Sequence, residues 1–416
     1  MSEHPTIPLA QAARLFSGGT PSKANDAYWN GTIPWLTPKD MGQWEGTTDA
    51  HVSDAAIGNG TRLAPADATF IAVRGMSLHN EIRVVRSPEP ISFNQDIKAV
   101  VARPKFDARF LYYVLAASKP KLLGWVSAAG HGTGVLATDR LLSLGVPDIP
   151  MGAQQAIASA IGDIDDKIDL NRRMNATLET MAQAIFQDWF VDFGPVRRSQ
   201  AGATDPVAIM GGLTPDPTRA AELAALFPVA FGNDGLPVGW SLRTVESIIE
   251  LAYGKSLPKT VRQNGPFPVY GSGGISGAHS AALSSGPGII VGRKGTVGSL
   301  YWEARDFFAI DTVFYVVPKD GVPLIFAWHL LKTLGLSGMN TDAAVPGLNR
   351  GNAYRLEFAF GGASLLNAFE EFSGPLRARQ DASNSERETL AETRDYLLPR
   401  LMSGKVRVAV PDQVAG

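Results

Sequence analysis

Arg74 and Arg293 stand at the same place in two similar stretches of this 416-residue chain, FIAVRGMS (70–77) and IIVGRKGTVGS (289–299), each after an apolar run and beside a glycine. A guanidinium presented from such a turn can meet an anion or a planar pair of acceptors, or close a surface ion pair. Lys255, Lys259 and Arg262 form a run with no acid between them, which suits phosphate contact or a solvated face. Chemistry that makes and breaks bonds is harder to find. No Gly-x4-Gly-Lys-[Ser/Thr] phosphate loop occurs, and the nearest stretch, GRKGTVGS at Gly292–Ser299, has another spacing. GSGGISG (Gly271–Gly277) does not fit Gly-x-Gly-x-x-Gly and lacks an acidic partner at the expected distance. There is no His-Glu-x-x-His, no Asn/Asp-Pro-Pro-aromatic tetrapeptide such as amino-methyltransferases place around a target amine, and no Gly-x-Ser-x-Gly elbow. The six histidines are scattered, and without cysteine there is neither a disulfide framework nor a Cys-built zinc site. These features point to binding rather than catalysis.

The residues able to bind are carried by a chain that repeats itself. IPLAQAARLFSGGTPSK (7–23) matches WSLRTVESIIELAYGKSLPK (240–259), and GTIPWLTPKDM (31–41) matches GPFPVYGSGGI (265–275). The two Arg-bearing runs follow, then ISFNQDIKAVVARP (91–104) with FFAIDTVFYVVPK (307–319). FLYYVLAA (110–117) matches IFAWHLLKTL (325–334), and GTGVLATDRLLSLGV (132–146) matches AAVPGLNRGNAYRLEF (343–358). Six blocks in one order imply two equivalent α/β halves.

After each half comes a long helical stretch. From Ala153 to Phe190, Ile157, Ile161, Ile164, Ile168, Leu178, Ala182, Ile185 and Trp189 recur at steps of three and four, with Asn171 and Asn175 between them. This is a heptad seam, and at ~1.5 Å per residue it spans roughly 50 Å. A second seam runs from Ala363 to Met402 through Leu365, Phe369, Phe372, Leu376, Leu390 and Leu397, diluted by Arg379, Ser383 and Glu386, with Gly404 as its expected stop. Packed antiparallel, the helices would hold the halves at opposite ends of a strut, and Asn171 and Asn175 would fix its register. The expected fold is α/β (α+β), with two pseudo-twofold-related domains separated by two long antiparallel helices that form a coiled-coil-like spacer. The expected domains are 1–150, a central helical region 151–193, a Pro- and Gly-rich linker 194–239 over the surface, a second domain 240–362, and a distal helical region 363–416.

The blocks 1–150 and 196–362 carry net charges of +1 and +2, whereas 151–195 and 363–416 carry −4 and −1. That division suits blocks that meet an anion and helices that meet something else. A 45% apolar composition with no long apolar run, and an N-terminus without an export-signal pattern, lead us to expect a cytoplasmic protein with no membrane partner.

GGTPSKANDAYWNGTIPWLTPKDM, the central QQAIASAIGDIDDKIDLNRRMNATLETMAQAIF and FQDWFVDFGPVRR together resemble the specificity subunit of type I restriction-modification enzymes over nearly the whole chain. In the second half the motif is degraded, with SLP in place of TPS. The resemblance implies two target-recognition domains, each reading one half of a split double-stranded DNA target, and helices that set the interval. It implies a non-catalytic chain without a cofactor of its own. Two modification subunits with S-adenosylmethionine would dock on the helices and methylate adenine N6, and restriction (translocase) subunits would use ATP and Mg. Base and phosphate contacts call for Arg, Lys, Asn, Gln, Ser or Thr on loops. The candidates are Thr20, Ser22, Lys39, Arg74, His131 and Thr133 in the first half, and Lys255, Lys259, Arg293, Lys294, Asn349 and Arg350 in the second. Thr20 and Ser22 could instead cap a Pro turn. Trp29, Trp35 and Trp302 read as core. Trp189 and Phe190 are candidates for partner binding or for the seam. Two other readings remain: an adaptor of the same fold that does not read DNA, and a two-domain α/β enzyme that binds phosphate through its Gly-rich loops.

Overall fold

A computed structural model describes residues 4–129, 132–319, 321–339 and 347–409. It divides into two compact units, Met1–Leu170 with Glu386–Gly416, and Asn171–Ser385. No helix among the described residues is long and apolar enough to cross a membrane.

The first unit is built on an antiparallel sheet with the spatial order Ala13–Ser17, Ile97–Ala102, Thr69–Ala72, Val84–Arg86. Alternation along these strands sends side chains to opposite faces. Ile71, Val84 and Val100 pack with Phe110, Leu111 and Val114 of the helix Ala108–Ala117. Asp107 starts that helix by accepting the Phe110 N–H at 2.8 Å. Phe70, Ala72 and Ala99 face the other way, onto Leu36, Ile91 and Phe93 of a second sheet. That sheet has the order Ala50–Val52, Ile33–Leu36, Ile91–Phe93, Arg62–Ala64, and its middle two strands are parallel. Thr6–Pro8 and Gly145–Pro147 pair to close the block.

The second unit repeats this plan. Its main sheet runs Ile249–Tyr253, Val313–Pro318, Gly288–Gly292, Leu300–Glu303. The helix Leu324–Thr333 shares a core with Ile289, Val291 and Phe314, while Ile290 and Val313 pack with Tyr270, Phe307 and Ala309 on the opposite side. A smaller sheet again contains a parallel pair, Phe267–Gly271 with Phe308–Ala309. Ser241–Thr244 pairs with Glu357–Phe360, as the first and last strands of the first unit do. The described residues of all six sequence blocks fall on corresponding elements.

The central helix covers Met151–Phe186 and widens into a π-type turn at Gln187–Val191; the distal helix covers Ala363–Ser403 and stops at Gly404, whose φ of +81° suits glycine. In the first unit the central helix buries Ile157 and Ile161, and the distal helix buries Leu398 and Leu401. Gln154 is also buried there, but satisfied: its Nε2 donates to the carbonyls of Lys105 and Ile149, and its Oε1 accepts the Asp107 N–H. In the second unit Ala182 of the central helix is buried, and Phe186 shares one core with Leu365 and Phe369 of the distal helix.

One stretch of the seam is polar, and the heptad reading needs correction there. Ser383 is buried as expected, but Arg379 and Glu386 are exposed and Gln380 takes the inward place. Asn175 Nδ2 donates to the Gln380 carbonyl at 3.3 Å and to Asn384 Oδ1 at 2.8 Å, while Gln380 Nε2 donates to the Asn175 carbonyl at 2.9 Å. Reciprocal amide bonds of this kind tolerate no slip along the helix, which is the register role expected of Asn175.

The linker is more ordered than its composition suggests. Three short helices, Gly194–Gln200, Pro206–Ile209 and Pro217–Ala224, bury Val196, Met210 and Leu223 in the core of the second unit. Asp205 and Asp216 cap the latter two, and Arg198 holds Asp188 through paired bonds of 2.9 and 2.8 Å. Pro195, Pro206 and Pro217 sit in the first turn of these helices, where a missing N–H costs nothing.

In the same unit His329 is fully buried, with its Nδ1–H donating to Gln183 Oε1 at 2.8 Å. Burial pushes the imidazole down to about 4, against the pull of Glu179. The unfolded chain therefore binds this proton more readily than the folded one, and stability should fall as pH drops from about 6.5 through about 4. The loss should approach about 3 kcal/mol. Urea unfolding at several pH values checks this, with His329→Gln expected to flatten the profile in that window; an identical slope in the variant would refute it.

Candidate nucleic-acid interface

In the first unit the strand Ala13–Ser17 delivers a loop that lies tightly on the sheet. A Cβ on Gly18 would come 2.2 Å from the Phe93 carbonyl oxygen, and one on Gly19 2.1 Å from that of Gly60. Two tryptophans pin the loop from beneath: Trp35 Nε1 donates to the Gly19 carbonyl and Trp29 Nε1 to that of Ser22, each at 3.1 Å. Their rings meet edge to face at 5.0 Å, so both serve the core, as expected. The Thr20 and Ser22 side chains are left exposed, Thr20 bonded at 2.5 Å to Gln95, which the sequence did not single out.

Arg74 emerges exposed from Thr69–Ala72 and lies opposite Val135 in a small sheet, Ser127–Ala129, Thr133–Val135, Arg74–Gly75. The fold thereby brings Arg74 and Thr133, far apart in sequence, onto adjacent strands. His79, another residue without a sequence motif, bonds through Nε2 to the Gly132 carbonyl at 2.9 Å on the same rim. His131 lies outside the described residues. Lys39 closes an ion pair with Asp49 at 2.7 Å in which both side chains are largely exposed. Such a pair contributes little to stability.

The second unit makes a denser cluster. Arg293 and Arg350 both stack on the ring of Tyr253, with guanidinium carbons 4.9 and 4.7 Å from its centroid. Tyr253 is 48% exposed, so the stack faces solvent. It forms because three backbone segments converge: Leu348 N–H donates to the Arg293 carbonyl, Lys294 bridges Gly347, and the Ile249–Tyr253 strand runs beside Val313–Pro318. Lys255 and Lys294 extend exposed side chains from the loops that follow. Asn349 is engaged as a helix cap, its Oδ1 accepting the Asn352 N–H at 3.2 Å. Lys259 sits on a separate turn, Lys259–Val261; next to it Arg262 is spent holding the Leu257 and Ser276 carbonyls. Tyr253 was missed because a single aromatic before a glycine carries no motif.

Trp189 and Phe190 require a correction as partner contacts. Trp189 is 1% and Phe190 5% exposed. Their rings pack with Phe227, Phe326, Phe369 and Trp240. Both lie on the π-type turn at Gln187–Val191, and a side chain buried in its own unit offers no surface to another chain.

The family model described as type I restriction modification DNA specificity domain matches residues 5–180. The chain is 27% identical over 319 residues to the type I restriction enzyme HindI specificity subunit of Haemophilus influenzae, covering 64% of this chain and 69% of that one. It is 28% identical over 160 residues to the EcoR124I/EcoR124II specificity subunit of Escherichia coli, covering 38% and 40%. The chain is similar in these stretches to type I restriction-modification specificity subunits. A solved S subunit of a type I system from M. genitalium shares the fold, with a TM-score of 0.58 at 16% identity and 96% of each chain covered. Both of these relatives are named as specificity subunits.

The glycine before each loop lies hard against a neighbouring backbone carbonyl. A Cβ on Gly254 would come 2.0 Å from the Ile310 carbonyl oxygen, the counterpart of the Gly18 contact. Gly254→Ala is expected to lift Lys255 and its loop off the sheet and to weaken duplex binding about tenfold, the cost of a backbone shift of roughly 1–3 kcal/mol. Competition binding of the complex should show the loss for the second half-site and not the first. Equal losses for both would contradict the local account.

Proposed function

We propose that each unit reads one half of a bipartite duplex and that the paired helices set the interval between the halves. The observation that carries this reading is the repeat itself: two blocks with one strand order, each ending in a segment of both long helices. Candidate contacts collect on the blocks, the basic Arg74 beside the hydroxyl of Thr133 in one and the basic Lys255, Arg293, Lys294 and Arg350 in the other, with Thr20, Ser22, Lys39, Lys259 and Asn349 on neighbouring loops. Half-sites one turn of DNA apart, ~34–36 Å, are within reach of a 36-residue helix of about 54 Å. In this reading the acidic helical region docks two modification subunits that hold S-adenosylmethionine and methylate adenine N6. Restriction subunits with ATP and Mg complete the assembly, which acts in the cytoplasm.

Sequencing of methylated adenines in a genome expressing this chain with its modification subunit tests the reading. We expect methylation at one split sequence of fixed spacing. Methylation at a single uninterrupted sequence, or at split sites of any spacing, would overturn it.

A further inference from the structure

Each unit contains a carboxylate on which three separate chain segments meet. In the first unit Asp165 of the central helix accepts from Arg394 of the distal helix at 2.9 Å and from the Tyr113 hydroxyl, on the block's own helix, at 2.8 Å. In the second unit Glu179 of the central helix accepts from Arg377 of the distal helix at 2.5 Å, and from Trp328 Nε1 and Lys332 Nζ of the block's helix at 2.8 and 2.6 Å. The residue types differ between units, Asp and Tyr against Glu and Trp, but the three-way junction is the same.

These are not ordinary surface pairs. The Asp165 and Glu179 side chains are only 21% and 22% exposed. Burial works to raise the Glu179 carboxyl, yet the Lys332, Arg377 and Trp328 contacts hold it at about 2. Arg377 lies over the rings of Trp302 and Trp328, at 4.7 and 5.4 Å, and Trp302 belongs to the main sheet of the block. In the first unit a second bond crosses the same joint: Arg109 reaches the Gly162 carbonyl at 3.1 Å and Asp166 at 2.6 Å, through space that a Cβ on Gly162 would fill. Hydrophobic packing between a block and a helix pair is non-directional and permits sliding or rotation. A charge-assisted junction with fixed donors does not.

We propose that Asp165 and Glu179 are positioning residues that lock the angle of each recognition block on the helix pair, and thereby make the subunit selective for the interval between half-sites. This rests on the bipartite reading above. Neither carboxylate needs to touch DNA. The junction with its three arms supplies what a base contact cannot: it converts a spacing error in the DNA into broken protein contacts.

Two measurements test the proposal separately from that reading. In the assembled methyltransferase complex, methyl transfer is measured on duplexes with constant half-sites and intervals varied one base pair at a time. Wild type should prefer one interval. Glu179→Gln and the milder Tyr113→Phe, which removes one hydroxyl and keeps the ring, should each reduce that preference about tenfold, as expected for loss of a hydrogen bond to a charged group, with the base preferences of both half-sites unchanged. Unchanged spacing preference in both variants, or an altered base preference, would overturn the positioning role. If wild type itself ignores spacing, the bipartite reading fails and the selectivity falls with it. The angular lock is read without DNA: the chain has no cysteine, so single cysteines at exposed Ala282 and Ala378 in the second unit can carry spin labels. The distance distribution should broaden in Glu179→Gln, and an unaltered distribution would refute the lock.

Discussion

Replacing Arg293 and Arg350 together by alanine is expected to weaken duplex binding by about a hundredfold near physiological salt, and to reduce the salt slope by about 2. The reason lies in the stack on Tyr253. Both guanidinium groups rest on one exposed ring, and among the described residues no carboxylate closes an ion pair with either. Two like charges on one ring repel, which the approach of phosphate or of a guanine edge would relieve. The ring holds each fork in place, so little side-chain entropy is lost on binding. Single substitutions should each lose about half the effect in free energy, and Tyr253→Ala should lose part of both by freeing the forks. The measurement is competition binding across a salt series on duplexes with the second half-site intact or scrambled. Affinity and slope both unchanged in the double variant would remove this cluster from the interface.

Trp189→Ala carries the largest expected effect on stability, about 3–5 kcal/mol, the range for emptying a buried tryptophan site. Trp189 sits where the central helix, the linker helices and the distal helix meet, with Phe227, Phe369 and Phe372 at 5.4, 6.3 and 6.0 Å. Its loss opens a cavity between three elements at once, so the second unit should unfold at markedly lower denaturant while the first keeps its transition. Probe-specific denaturant curves distinguish this from a partner-contact role, in which the isolated chain would keep its wild-type midpoint.

Much of this fold is legible in the sequence because it appears twice. Runs such as FIAV and IIVG are short and apolar with a glycine close behind, and each becomes an inner strand of its main sheet. Heptad spacing located both long helices to within a few residues, since burial of Ile157, Ile161, Leu365 and Phe369 depends only on period. Where the seam turns polar, period has nothing to act on. Gln380 and Arg379 are equally hydrophilic on paper, and only packing decides which one faces inward. The inward place of Trp189 continues the three- and four-residue spacing of the seam, and burial of Trp189 and Phe190 decides between the two readings that spacing left open. Of the proposed binding residues, those tied to a repeated strand end, Arg74 and Arg293, emerge at a rim where other segments converge. Asn349 emerges as a cap, because Asn at such a position serves the backbone as readily as a ligand.

The polar stretch of the seam also bears on how such a protein can change over generations. The division between units falls at Leu170/Asn171 and Ser385/Glu386, beside the buried Asn171, Gln380 and Ser383. Little apolar area is buried there, so lineages that gain or lose a helical turn at this point sacrifice almost none of either core. Under the proposed reading, length is thereby heritable separately from what each block reads, and a new target would arise by altering the interval while both sets of contacts are inherited intact.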